Sequence, residues 1–287
     1  MLAGACIYSR PICSRAVITR CRIVVIRTPN NRSLQAYCGI DVACAKGKRL
    51  PVAVLVRDGS RVRALPLRRS DPMPPQGMGN RKALDPAWRR DFAEATLQYL
   101  IAVEERHQVH IAEIAVDAPR APARGGRRSA ELAMDAHGIS CITTPSSESL
   151  DNAVRRARVH SAAGGSDSTL PHANQIWMLV GFDIFATLSP WRSCIEVFPQ
   201  AIVRTIAPSS PHKSKPGGLD AQLDAFARHA GWNVAELTDS AFGARHDRLD
   251  ALMSAWIASL PDSRRVAYGD GALDTIWSVQ PSALNVV

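Results

Sequence analysis

The stretch YCGIDVACAKG, residues 37 to 47, sets an aspartate, Asp41, between Ile40 and Val42, where every other side chain from Tyr37 to Ala45 is apolar or small. Such a run reads as a buried strand. An ionised carboxylate within it is costly unless something compensates the charge, so the strand must carry Asp41 to a place where a partner meets it. The following residues keep the strand pattern. The turn KGKR leads to PVAVLV, Asp58 and Gly59 give a hairpin signal, and RVRALPL alternates polar with apolar side chains as a half-exposed strand does. Three antiparallel strands therefore open the domain.

A loop rich in Pro, Gly and Met (SDPMPPQGMGN) separates these strands from a helix that starts at DPAW, with Pro86 suited to its first turn and an apolar stripe of Trp88, Phe92, Ala95, Tyr99 and Val103. VHIAEIAVDAP is a fourth strand ending on Asp117. RRSAELAMDAHG is a helix closed by Gly138, and ISCITTP reads as a further strand. The polar stretch from Pro145 to Leu170 reads as a loop or short helix before an apolar helix around Ile176 to Leu188. Together they form an inserted region at about residues 145–190. SCIEVFP is another strand, LDAQLDAFARHAG a helix, and HDRLDALMSAWIASL the last long helix. Antiparallel strands followed by strand-helix alternation imply an α/β fold, a mixed sheet flanked by helices.

Composition narrows the function classes. At 287 residues and 46% hydrophobic content the chain has enough apolar material for one sizeable core. Its longest apolar runs fall well short of the roughly 20 residues that span a bilayer. Seven cysteines, an odd number with no C-x-x-C pair, point to reduced thiols in a cytoplasmic setting and away from zinc or a disulfide frame. The net charge of +9 is uneven: residues 1–36 hold six arginines and no acid, so the remainder is only +3. That leader reads either as a transit peptide or as an upstream extension from a misplaced start, and the domain is expected over residues 37–287.

The last helix carries the second clue. Leu249, Leu252, Met253, Trp256, Ile257 and Leu260 mark its core face. Asp250 lies at the edge of that face, with Asp247 roughly 60° further round at about 100° per residue. The two can point together beside the sheet, or Asp247 can simply favour the positive helix N-terminus. Asp41 and Asp117 weigh against the plainer reading, because two carboxylates on neighbouring strands cannot both ionise comfortably without a cation between them. Oxygen-only ligation by Asp41, Asp117, Asp247 and Asp250 suits Mg2+ or Mn2+. Two such ions clamping a phosphate are a known device for phosphodiester cleavage.

With these motifs in place, the chain resembles the ribonuclease-H-like superfamily, nearest its Holliday-junction resolvase branch: GID at residues 39–41 and DRLDAL at 247–252 match that branch's first and last motifs. GIDVA, IAVDAP, RRSAELAMDAHGIS, IEVFP, HDRLDALMSAWIA and YGDGALDTIW resemble, in order, a family of predicted RNase-H-like nucleases, domain of unknown function 429, over nearly all of residues 37–280. The resemblance implies a ribonuclease-H-like mixed sheet and a Mg2+- or Mn2+-dependent nuclease acting on DNA or RNA. Asp41 would be its shared metal-bridging carboxylate, with Asp117, Asp247 and Asp250 completing two metal sites. Where the resolvase branch often has glutamate, Asp117 reaches less far. Classical ribonuclease H also draws an acid from its first long helix, where Glu94 is the candidate.

Glu196 in IEVFP is either a further ligand or a water-positioning base, or an edge-strand glutamate facing solvent. His246 could orient a carboxylate. Arg124, Arg127 and Arg128, and Lys213 and Lys215, are candidates for holding a substrate phosphate, or are plain surface charge. Two other functions stay open: a non-catalytic nucleic-acid or protein-binding scaffold, and an actin-like ATP-binding phosphotransferase. The last needs a second glycine-rich phosphate hairpin, and IAVDAPRAP has prolines there instead. Oligomeric state has no signature in the chain.

Overall fold

The computed structural model describes residues 33–69, 71–271 and 274–281. The expectations for residues 1–32 lie outside the described residues. Strand β1 (Leu34–Asp41) starts three residues before Tyr37. It pairs antiparallel with β2 (Val52–Asp58), and β2 pairs antiparallel with β3 (Arg61–Ala64). The Asp58 and Gly59 signal is realised as the β2–β3 hairpin, in which Gly59 adopts the left-handed φ of 60° that its tight turn requires.

β4 (Val109–Asp117) runs parallel to β1, β5 (Ser193–Val197) parallel to β4, and β7 (Thr275–Val279) parallel to β5. The antiparallel β6 (Arg265–Gly269) closes the edge. The result is one seven-stranded mixed sheet in the order β3-β2-β1-β4-β5-β7-β6. The β6–β7 hairpin at the far edge extends the sheet beyond the expected strands. Residues 139–145, expected as a strand, form none. The lane beside β4 is taken by β5, while residues 141–145 run outside the sheet, held by Thr144 N–H on Glu131 Oε1 at 2.8 Å and Ala123 N–H on the Pro145 carbonyl at 3.0 Å.

The helices are α1 (Asn80–Ala83), α2 (Pro86–His107), α3 (Ser129–Ala136), α4 (Ser147–Ala162), α5 (Ala173–Leu188), α6 (Pro199–Ile206), α7 (Gly218–Ala230) and α8 (Arg245–Ser259). Asp85 caps α2 by accepting from the Ala87 N–H at 3.0 Å. Of the stripe expected on α2, Ala95 faces solvent, and burial falls instead on Ala93, Thr96, Leu97 and Leu100 beside Phe92, Tyr99 and Val103. The polar stretch after Pro145 is a 16-residue helix, α4, capped by Ser146.

Alternation along the central strands sorts side chains into two layers. Ala36, Cys38 and Ile40 of β1, with Val52, Val54 and Val56 of β2, pack under α2 and α5. Tyr37 of β1, Ala53 and Leu55 of β2 and Ala115 of β4 pack under α6, α7 and α8. By the same parity Gly39, Asp41 and Asp117 belong to the α8 side. Helix α8 is buried from Leu249 to Ser259 without interruption, a helix covered on all sides. It lies so close to β1 that a Cβ on Gly39 would come within 2.1 Å of the Ala251 carbonyl oxygen and 2.2 Å of the Ala255 nitrogen. Only glycine permits that approach. No described helix is long and apolar enough to cross a membrane.

Candidate metal centre

Asp41 and Asp117 end their strands side by side, each the other's register partner across the parallel β1–β4 pair. Both open onto a cleft of about 780 Å³ at the carboxyl end of the central strands, which Asp250, Asp247, His246 and Lys213 also line. Asp250 reaches it from the first half of α8 and is only 4% exposed. The direct seating of α8 on Gly39 sets how near Asp250 comes to Asp41. Behind Asp117, Gly181 of α5 packs where a Cβ would meet the Ala118 methyl at 2.5 Å, which pins the turn after β4.

Electrostatics confirm the crowding. Burial, then the charges of Asp250, Asp117 and Asp247, push the Asp41 carboxyl well above the usual aspartate range, with Lys213 pulling the other way. Burial and Asp250 do the same to Asp117. Burial raises Asp250, against the pull of Lys213. The Lys213 ammonium bonds Asp250 Oδ2. Burial works against its charge, yet Asp250, Asp41 and Asp117 more than offset this and raise its pKa. Asp247 sits further out, its Oδ1 2.9 Å from His246 Nε2. The four aspartates predicted from sequence thus share one cleft.

The donor set is oxygen-only and over-charged, which fits a hard divalent cation, and a positive group, the Lys213 ammonium, already stands in among the carboxylates. Among the described residues, however, no three His, Cys, Asp or Glu side chains are arranged as a ready metal cage.

Of the remaining candidates, Glu196 and Arg128 line the same cleft and the others lie outside it or within the carboxylate cluster. Glu196 is buried on β5 and engaged on both oxygens: Arg128 Nη1 donates to Oε1 at 2.7 Å, while Arg128 Nη2 and the Arg120 N–H donate to Oε2, each at 2.9 Å. It does not face solvent: it lines the same cleft as the aspartates, with both oxygens engaged by arginine. Arg128 is likewise committed, with its Nε on Asp274 Oδ1 at 3.0 Å and its guanidinium buried. Arg127 pairs with Asp135 and lies 3.8 Å from Glu131. Arg124 and Lys215 are exposed, and Lys213 is in the carboxylate cluster. Glu94 is exposed on α2, on the opposite layer of the sheet, and hydrogen-bonds Gln98 at 2.8 Å, so it stands apart from the aspartates.

Sequence reasoning did not pick out Asp274, which caps α3 through the Ser129 N–H (2.8 Å) and Oγ (2.7 Å) while holding Arg128. Its only signal was its place as the second aspartate of YGDGALDTIW. Nor did it find the apolar cleft wall of Ile142, Trp177, Met178 and Phe198, which three separate segments assemble.

Neither the curated proteins nor the solved structures yield a match to this chain. The family model described as "Protein of unknown function (DUF429)" matches residues 39–271, from Gly39 in β1 past α8 and β6 into the turn of the last hairpin, and the chain belongs to that family.

Proposed function

We propose that this protein is a metal-dependent nuclease of ribonuclease-H-like architecture, hydrolysing phosphodiester bonds in DNA or RNA with two Mg2+ or Mn2+ ions. The observation that carries the reading is the in-register pair Asp41 and Asp117, faced across the cleft by Asp250. A fold gains nothing from three crowded, partly desolvated carboxylates unless a cation is to be held there. The run β3-β2-β1-β4-β5, with its first three strands antiparallel, supports the architectural part, and the β7 and β6 strands are additions to it.

When bound, divalent ions neutralise phosphate charge and make water a better nucleophile. The residues of the chain divide the remaining work. Asp41, central to the cluster, would hold the ions together with Asp117 and Asp250. Asp247, nearer the mouth and close to His246, would be a further ligand. Arg124 and Lys215, exposed and outside the cluster, are free to meet the flanking backbone phosphates.

The test is incubation of the protein with labelled single-stranded, duplex, hybrid and branched nucleic acids in Mg2+, Mn2+ or EDTA, beside Asp41→Asn. Cleavage that requires metal and disappears in the variant supports the proposal. If wild type and variant are equally silent across the whole panel, a non-catalytic binding scaffold replaces it.

A further inference from the structure

Lys213 lies in the segment 207–217 that joins α6 to α7. The segment's backbone hydrogen bonds run within it or to the two helices, among them Ser210 N–H to the Ala207 carbonyl at 2.9 Å, Lys215 N–H to the His212 carbonyl at 2.8 Å and Gln222 Nε2 to the Pro211 carbonyl at 2.8 Å, and His212 Nδ1 lies 2.7 Å from Ser214 Oγ. Among the described residues, the bond that ties it to the carboxylate cluster is Lys213 to Asp250. The loop is thus docked on the cluster by one side chain. That side chain is 25% exposed and approaches from the cleft, so its way out is open. At the end of the segment Gly217 has a φ of 70°, a conformation that side-chain-bearing residues resist.

Charge makes this docking provisional. One ammonium faces Asp250, Asp41 and Asp117, with Asp247 beyond them, and a single positive charge cannot neutralise that set. It does engage Asp250, one of the carboxylates a cation would use. A divalent ion brings twice the charge and takes carboxylate oxygens directly. Cation and ammonium cannot both hold Asp250 in the same way.

We infer that Lys213 is an internal counter-ion occupying the cation's place, and that a divalent ion binds by displacing it and releasing the 207–217 loop from the cluster. This rests on the metal-dependent reading above. The consequence is a coupling: metal occupancy undocks the loop, and anything that holds the loop down weakens metal binding to the same degree.

The test uses the full chain and does not depend on activity. Wild-type protein is acetylated with an N-hydroxysuccinimide ester with and without Mn2+, and the modified lysines are quantified by mass spectrometry. Mn2+ is expected to raise labelling of Lys213 by about fivefold or more while leaving Lys48 and Lys82 unchanged. In parallel, calorimetric titration with Mn2+ compares wild type, Lys213→Met and Asp41→Asn. Lys213→Met is expected to bind roughly tenfold tighter than wild type, and Asp41→Asn to lose binding. If Mn2+ binds the wild type through Asp41 yet Lys213 labelling does not rise, or a folded Lys213→Met binds no tighter, the counter-ion role is overturned and the metal reading stands. If Mn2+ binds neither wild type nor Lys213→Met, the metal reading itself fails and the counter-ion role goes with it. Should Lys213→Met not fold, the wild-type labelling decides alone.

Discussion

Gly39 touches the main chain of Ala251: a methyl group added to the glycine would lie 2.1 Å from that residue's carbonyl oxygen. This contact links the strand that carries Asp41 to the helix that carries Asp250, and it gives the glycine of the GID motif a steric role rather than a conformational one. Gly39→Ala must push α8 off the sheet. A loss of about 3 kcal/mol or more in urea unfolding is expected, together with weaker Mn2+ binding. Unchanged stability would mean that the two backbones are not in contact.

Glu196 and Arg128 form a buried, bidentate ion pair. Glu196→Gln leaves the Arg128 charge short of a partner, and a destabilisation of about 3 kcal/mol is expected, read by chemical denaturation. Mn2+-induced stabilisation should survive in this variant. Were Glu196 a metal ligand instead, the variant would lose that response while keeping most of its stability.

The raised pKa of Asp41, caused first by burial and then by its aspartate neighbours, fixes the sign of a pH effect. In the folded protein the carboxyl keeps its proton to higher pH than in the unfolded chain, so between the two values the native state binds more protons and stability falls as pH rises. Metal-free wild type should therefore gain in thermal stability relative to Asp41→Asn as pH falls toward the ordinary aspartate range. The variant should melt higher than wild type at neutral pH, with the gap closing toward acid. A gap that is constant with pH, measured in EDTA, would show that Asp41 is ionised without penalty.

Arg124 and Lys215 are exposed cations outside the aspartate cluster, so they should act on affinity and not on the chemical step. Replacing either by Ala is expected to weaken nucleic-acid binding and to lower the slope of log K against log salt by about one, with turnover at saturation unchanged. Asp117→Asn should do the reverse, lowering turnover by on the order of 10³ with little change in the salt slope.

Asp41 and Asp117 were legible in the sequence because a carboxylate inside an apolar run violates the pattern around it, and Asp250 and Asp247 because the helical period sets them beside the core face of the last helix; both signals are local. The same logic singled out Glu196, but its partner, Arg128, is 68 residues away in the chain, and nothing local distinguishes a glutamate held by arginine from one held by a metal. Lys213 was a candidate for a substrate phosphate, and nothing local placed it among the aspartates. Residues 139–145 have strand composition yet form no strand, because β5 takes the lane beside β4.

Taken alone, the sequence determined the three antiparallel opening strands, the long helices with their buried faces and the four aspartates, since period, turn chemistry and the cost of a misplaced charge all act over a few residues. Tertiary structure decided which acids converge, which are already neutralised by arginine, and which lysine sits among them. Those outcomes depend on strand order and on the contact of α8 with Gly39, and so on distances between segments that no local pattern encodes.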